Sequence, residues 1–211
     1  MNNKPLPGVI FFLMLLAAIT AFSCAPKRQP IERNHYLLET FREQPAHKGI
    51  IPAALTVRDF SVSPGYQGRE IVYKTGNNIA RADFYNLYFV LPGPMIAQLT
   101  RSWIKDSGLF DSVIPMSSHM DADYLLEGTI VSIYGDLRDP ANPGAVMEIN
   151  FLLLKSTDFE YEIVFQNKYK SHTRMEGTGT GLLIEGLNKS LEDILASLEE
   201  DLAEVLKVNG K

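Results

Sequence analysis

The sequence predicts an α/β domain in which a mostly antiparallel sheet packs against two main helices. Apolar and polar residues alternate from Ala145 to Leu153 and again from Tyr161 to Tyr169, which is typical of half-buried strands in a meander. Apolar residues recur at helical spacing in two other places, residues 92–108 and residues 187–206. The two periodicities together indicate one sheet and two amphipathic helices.

A leader of the signal-peptide type precedes this domain. Lys4 and the amino terminus form a small positive patch, and the apolar run 8–22 follows. At about 15 residues the run is shorter than the ~20 that a helix needs to cross the hydrocarbon core, which favours cleavage over an uncleaved anchor. The run ends in Ala21-Phe22-Ser23-Cys24, which has the shape of a lipobox and contains the chain's single cysteine. We predict a signal peptide at 1–23 and lipid attachment at Cys24; the alternative is a chance cysteine after an ordinary secretory signal.

Lipidation of Cys24 would place the domain close to a membrane. Diacylglycerol on the thiol and a second acyl chain on the new amino terminus anchor stably, whereas one chain alone binds only marginally. Residues 24–33 are polar with two prolines and form a tether that spans about 30 Å at most. Residues 34–211 are then a single domain without disulfides, stabilised by its core alone. Ala25 replaces the aspartate that retains enteric-type lipoproteins in the inner membrane, so we expect outer-membrane sorting, facing the periplasm.

Several short strands fill the first half of the domain, and one long strand follows the first helix. Leu55, Val57 and Asp59 would share one face of their strand, and a β-bulge would fit near Gly128, where the alternation slips. The predicted strands are His35–Glu39, Leu55–Phe60, Glu70–Lys74, Ile79–Tyr88 and Asp123–Tyr134.

The first helix has clear start and stop signals. Pro92-Gly93-Pro94 opens it, because proline is tolerated in the first helical turn. Gly108 closes it, and the apolar pair Leu109-Phe110 that follows is typical of a glycine cap with its hydrophobic contact. We expect Trp103 in this helix to be a core residue and not a ligand platform.

The last helix is amphipathic over five or more turns. We expect it to pack across the meander, with docking of a partner as the alternative use of its apolar face. Its acidic residues, Glu199 among them, are expected on the surface. The apolar stripe consists of Leu187, Leu191, Ile194, Leu195, Leu198, Leu202, Val205 and Leu206.

Charge and histidine placement argue against two classes of function. Removing residues 1–23 takes away Lys4 and no acid, which leaves 19 basic and 25 acidic residues and a net charge of −6. A nucleic-acid partner is therefore not expected. The four histidines, at positions 35, 47, 119 and 172, lie too far apart to suggest a histidine-built metal site, and no cofactor is expected.

Two short motifs invite a chemical interpretation that their context opposes. Gly177-Thr178-Gly179-Thr180-Gly181 lacks the Gly-Lys-Ser/Thr ending of a P-loop and the spacing of a dinucleotide fingerprint, so we favour a flexible connector over a phosphate loop. The segment 119–123 holds one histidine and two acids and would serve as a solvated turn more readily than as a hard-metal loop. We find no catalytic constellation and predict that the protein is not an enzyme.

The order of these features resembles the ABC-type transport auxiliary lipoproteins, the PqiC-like family, over roughly residues 34–206. The lipobox, the short tether, Leu55-x-Val-x-x-Phe60 and Ile71-Val72-Tyr73-Lys74 contribute to the likeness. Its most specific pieces are Tyr36-Leu37-Leu38, Gly108-Leu109-Phe110 and Ala122-Asp123-Tyr124-Leu125-Leu126-Glu127-Gly128. Where that family usually has Tyr-x-x-Trp, this chain has Tyr85-x-x-Tyr88.

The resemblance implies a mixed α/β sheet with two helices, similar to the amino-terminal domain of TolB. It also implies an outer-membrane lipoprotein that works with an ABC transporter and a mammalian-cell-entry (MCE) protein in lipid transport and docks the periplasm-spanning component. Some members form rings, so a homo-oligomer is a further expectation. The alternative is an envelope lipoprotein that scaffolds or activates another machine, in cell-wall synthesis or secretion. The residues from Tyr85 to Met95 would suit either a partner surface or a core.

Overall fold

The computed structural model describes Gly8 and residues 32–47, 51–158 and 160–209. The chain divides into two compact units, residues 1–32 and 33–211, and the second contains the sheet and two helices. The helices are α1, Pro92–Ser107, and α2, Thr180–Asn209, and a short 3-10 helix covers Pro64–Tyr66. The strands are β1 Asn34–Tyr36, β2 Ile51–Val57, β3 Ser61–Val62, β4 Glu70–Gly76, β5 Ile79–Tyr88, β6 Phe110–Ile114, β7 Tyr124–Asp136, β8 Gly144–Ser156 and β9 Tyr161–Arg174.

Strand β7 organises the sheet. On one side it pairs with β8 in an antiparallel ladder, and β9 continues that meander. On its other side, β2, β3 and β4 lie one after another along its length, all parallel to it. Beyond these, β6 pairs with β2, and β5 and then β1 extend the sheet from β4. The predicted fold class is confirmed: a mixed, curled sheet, whose longest ladders are antiparallel, packs against two helices.

Helix α1 begins and ends where its local signals predict. Pro92 lies in the first turn, and Gly108 adopts φ 65°, the left-handed conformation that favours glycine. The Gly108 N–H donates to the Lys105 carbonyl at 3.3 Å, which satisfies one of the last free carbonyls. Trp103 is 3% exposed, so its predicted place in the core is confirmed.

Helix α2 lies across β8 and β9, as its apolar stripe predicts. All stripe residues except the half-buried Val205 enter one continuous core with the apolar side of α1 and the inner face of the sheet. A small second cluster on the sheet joins Val72, Tyr134 and Val146, with Tyr66 stacked on the Tyr134 ring at 6.2 Å. The fully buried leucines of the stripe are Leu187, Leu191, Leu195, Leu198 and Leu202.

The strand that was predicted at Leu55–Phe60 is displaced. Strand β2 ends at Val57, so that Asp59 lies outside it and is exposed, while Leu55 and Val57 are fully buried as expected. The short first strand also moves, to Asn34–Tyr36. Pairing partners distant in sequence set both shifts, because β2 is fixed by β6 and β7, and β1 by β5.

The bulge of β7 was predicted at the wrong residue. The register shifts between Ile130 and Ser132, whereas Gly128 stays in register opposite Phe151. Gly128 is glycine for a different reason: a Cβ there would lie 2.6 Å from atoms of the buried Phe60 ring. That ring packs edge-on against Phe151 at 5.6 Å, so the missing side chain makes room for an aromatic pair.

A second bulge alters the pattern of β9. Leu153 faces Phe165 but Leu154 faces Ile163, so Val164 is the extra residue and packs against the core. The residues before it change face, and the predicted half-burial of Tyr161 and Ile163 is wrong: both are more than half exposed. Phe165 and Tyr169, on the other side of the bulge, pack against the core as predicted.

Replacing Gly128 by Ala is expected to destabilise the domain by about 1–3 kcal/mol, because the new methyl group would overpack the Phe60 ring. Urea unfolding followed by circular dichroism measures the change. The control is Gly65→Ala, where a Cβ would meet nothing within 4 Å. Equal stability of the two variants would contradict this role for Gly128.

A substitution at Tyr88 is expected to change the free energy of unfolding in the opposite direction. Its side chain is 2% exposed, and its hydroxyl has no hydrogen-bond partner among the described residues. Burial raises the pKa of this hydroxyl well above its usual value. Because a buried unpaired hydroxyl is unfavourable, Tyr88→Phe is expected to leave the free energy of unfolding unchanged or to raise it by up to about 1 kcal/mol.

The matched control for Tyr88 is Tyr169→Phe. The Tyr169 hydroxyl donates to the Asp201 carboxylate, so its removal is expected to lower the free energy of unfolding by about 1 kcal/mol. Chemical denaturation of both variants compares the two hydroxyls directly. A larger loss for Tyr88→Phe than for Tyr169→Phe would show that the buried hydroxyl is satisfied.

Candidate functional site

Cys24, the predicted lipid-attachment residue, lies outside the described residues, as do residues 9–31, which cover most of the leader and tether. The described chain resumes at Glu32 and enters β1 at Asn34. β1 is an edge strand of three residues that pairs in parallel with the end of β5. The described chain therefore enters the domain at this edge.

Six large apolar side chains are exposed in β5 and in the segments that directly follow β1 and β5, at 38% to 60%. They account for half of the exposed large apolar residues that are found among the described residues. Phe84 and Tyr85 are in ring contact, and an exposed apolar cluster on a protein surface often marks a binding site. We call this set the β1–β5 apolar face, and it consists of Leu37, Phe84, Tyr85, Phe89, Val90 and Leu91.

A β-bulge displays the two aromatic residues in the middle of the face. Between the pairs Val72–Ala82 and Glu70–Leu87 the register shifts, which frees the residues after Ala82 from regular pairing. The Asp83 carboxylate accepts hydrogen bonds from the Tyr85 and Asn86 N–H groups, at 2.8 and 3.0 Å. Phe84 and Tyr85 are therefore both exposed, although neighbours in a regular strand point to opposite faces.

Ring contacts join β1 to this face. The Arg33 guanidinium lies 4.3 Å from the centre of the Phe84 ring, a cation–π arrangement. The His35 ring meets Phe89 edge-on at 6.1 Å, and Phe84 meets Tyr85 edge-on at 5.3 Å. The aromatic groups of the face thus have basic side chains beside them.

Residues 37–47, which we call the strap, run from β1 along both helices. The Glu39 and Phe41 N–H groups donate to the side chains of Asn188 and Glu192 on α2, each at 3.1 Å. The buried Leu38 starts the strap in the core. At the far end the His47 N–H donates to the Ser107 carbonyl of α1 at 2.6 Å.

Glu199 of α2 is the central group that holds the strap. Its carboxylate receives two hydrogen bonds from Arg42, Nε to Oε2 at 2.9 Å and Nη2 to Oε1 at 2.7 Å. Trp103 of α1 donates its indole N–H to Oε2 at 2.8 Å, and His47 Nε2 lies 2.9 Å from Oε1. One carboxylate therefore joins the strap to both helices.

The expected surface position of Glu199 is wrong, since the residue is only 6% exposed. Burial alone would raise its pKa, but the hydrogen bonds and charge of Arg42, with the bonds from His47 and Trp103, outweigh burial and hold the pKa below its usual value. The sequence contains a signal for this placement, because Glu199 lies four residues after Leu195 and three before Leu202, on the apolar stripe.

Two short motifs, residues 177–181 and 119–123, invite a chemical interpretation in the sequence. Residues 175–179 connect β9 to α2, so residues 177–179 form the predicted connector, whereas Thr180 and Gly181 already belong to the helix. In the segment 119–123, His119 is exposed, and Asp123 accepts a hydrogen bond from the Ala54 N–H at 2.7 Å. Throughout the part of the chain that the structure describes, no three His, Cys, Asp or Glu side chains are grouped to hold a metal ion.

The residues from Tyr85 to Met95 divide between the two uses that the sequence left open. Tyr88 and Met95 are buried in the core, whereas Tyr85, Phe89 and Leu91 are exposed. Among the described helices, none is long and apolar enough to cross a membrane. The exposed residues of this segment belong to the β1–β5 apolar face, which is the strongest candidate for a binding surface within the described residues.

Comparison with known proteins finds similarity at the level of structure. No protein-family model matches the chain, and no curated protein matches it either. A protein from Xanthomonas campestris, described under the family DUF330, aligns with a TM-score of 0.73 and 16% identity over 84% of this chain and 99% of its own. A second, uncharacterized protein aligns with a TM-score of 0.62 and 14% identity over 81% of this chain and 99% of its own. At these identities the likeness shows a shared fold.

Replacing Glu199 by Gln is expected to lower the free energy of unfolding by about 3 kcal/mol at neutral pH, because the buried Arg42 loses its counter-charge. The pKa of Glu199 in the folded protein lies below the ordinary glutamate value of about 4.5. The stabilisation is therefore complete above that ordinary value and is lost as the pH falls through the lower pKa of the folded state. Denaturation at a series of pH values measures both effects.

The matched control is Glu200→Gln, which makes the same charge change at the neighbouring exposed residue. It is expected to alter the free energy of unfolding by less than about 0.5 kcal/mol. If Glu199→Gln behaved like the control, Glu199 would not hold the strap.

Proposed function

We propose that the mature protein is a lipid-anchored accessory of an ABC transporter and MCE lipid-transport system at the outer membrane. In this role it docks the periplasm-spanning component and carries out no catalysis. One observation carries the proposal: the single cysteine of the chain follows an apolar leader and lies ten residues before Asn34, where the folded domain begins. An anchor with a tether this short holds a domain next to its membrane.

The fold supports the proposal. The motifs on which the family resemblance rests have structural roles: Gly108 caps α1, Leu109 enters the core, and Tyr124 to Gly128 form the start of the central strand β7. The fold shared with the DUF330 protein of Xanthomonas campestris extends over nearly all of that protein. The transport role itself comes from the resemblance in sequence order and is the part that experiments must test.

The polar chemistry of the described residues also fits a docking protein. The most elaborate polar cluster, around Glu199, is engaged in holding the strap to the helices. The most conspicuous exposed surface is apolar, which suits contact with a macromolecule or a membrane better than turnover of a small substrate. Both observations support the proposed non-enzymatic role.

Replacing Cys24 by Ser is expected to release a folded protein from the membrane, because the variant has no sulfur to which diacylglycerol can be attached. Fractionation of cells into soluble, inner-membrane and outer-membrane portions, followed by immunoblotting, measures the distribution. The native protein should be found in the outer membrane. A Cys24→Ser variant that remained in the outer membrane and supported function would refute the anchoring proposal.

The partner is tested by photo-crosslinking in living cells from the lipidated protein. A photoreactive amino acid is placed at exposed positions on different elements, such as Met120 and Ile163. Capture of an MCE protein, together with increased envelope permeability after deletion, supports the proposal. Capture of a cell-wall or secretion component instead, with unchanged permeability, favours the scaffold alternative and contradicts the transport role.

A further inference from the structure

We propose that the β1–β5 apolar face lies on the lipid surface in which Cys24 is anchored, with its aromatic side chains in the interfacial region. The proposal rests on the anchoring of Cys24 and goes further, because it assigns the domain a second, non-covalent membrane contact and hence a fixed orientation. The occupant of the face is the bilayer and not a second copy or another protein.

The length of the tether keeps this face within reach of the membrane that holds the anchor. Only nine residues separate Cys24 from Asn34, so the start of β1 lies within about 30 Å of the lipidated residue, the span of the extended tether. Arg33, the last residue before β1, stacks on Phe84 in the middle of the face. The chain therefore enters the domain beside Phe84, and the strap fixes β1 through its bonds to α1 and α2.

The chemistry of the face suits a membrane interface. Tyr85 has an apolar ring and a polar tip, the combination that favours the headgroup level, and Phe84, Phe89 and Leu91 supply purely apolar area. Arg33, beside Phe84, carries a charge that can stay in the headgroup layer while its stem lies on the ring. The net charge of −6 does not favour anionic headgroups, so apolar burial is the attraction.

The shape of the edge argues against pairing with a second copy. β1 has only three residues, and short edge strands are a common protection against edge-to-edge association. The bulge at Asp83 also breaks the regular spacing of β5 beside it. A bilayer imposes no register and accepts protruding side chains of any arrangement.

The test uses spin labels on the full lipidated protein in vesicles of phosphatidylethanolamine and phosphatidylglycerol. Cys24 is the single native cysteine and is consumed by the lipid, so Phe84→Cys, Phe89→Cys and Ile163→Cys each give one labelling site. Ile163 is as exposed as the other two but lies on β9, the strand at the opposite edge. The spin-relaxation enhancement by oxygen, compared with the enhancement by a water-soluble nickel complex, reports the depth of each label.

Labels at positions 84 and 89 should be more accessible to oxygen than to the nickel complex, and the label at 163 should show aqueous accessibility. The depth should not change when phosphatidylcholine replaces phosphatidylglycerol. Aqueous accessibility at all three positions, in protein that still floats with the vesicles, would contradict the proposed contact of the face with lipid. It would leave the anchoring of Cys24 intact. Dipolar broadening at 84 and 89 without oxygen preference would point to a second copy and also overturn it. Protein that fails to float at all would instead refute the anchoring of Cys24.

Discussion

A single buried carboxylate holds together parts of the chain that are far apart in sequence. Glu199 lies near the end of the domain, yet its two oxygens bind Arg42 and His47 of the strap and the indole of Trp103. The side chains of Arg42 and Glu199 are only 5% and 8% exposed, so water cannot readily replace either partner of this ion pair. The strap is fixed to both helices, and with it β1 and the point where the chain enters the domain.

Local signals predicted the fold well wherever short-range chemistry decides the structure. The bounds of α1 follow from Pro92 and Gly108, and the bounds of β5 agree with the prediction at both ends. Bulges are harder to predict from sequence. The alternation of apolar and polar residues slips near Gly128 and predicts a bulge there, but the glycine instead makes room for the Phe60 ring. The pairing of β2, β3 and β4 along β7 depends on partners distant in sequence, which no local pattern encodes.

The candidate site was only partly visible in the sequence. The segment from Tyr85 to Met95 was recognised as apolar, but its division between core and surface depends on the bulge at Asp83 and on the docking of α1. Glu199 was placed on the surface because acidic residues usually lie there, although its spacing put it on the apolar stripe. Its partners Arg42 and His47 come from an irregular segment without periodicity, so the cluster could not be assembled from pattern alone.

The proposed position of the domain and the proposed use of its apolar face both follow from the chemical state of Cys24. Mass spectrometry of the protein purified from its native membrane tests this state. We expect a mature chain that begins at Cys24, with a diacylglycerol thioether on sulfur and an acyl group on the amino terminus. A chain that begins at another residue, or a free thiol at Cys24, would contradict it.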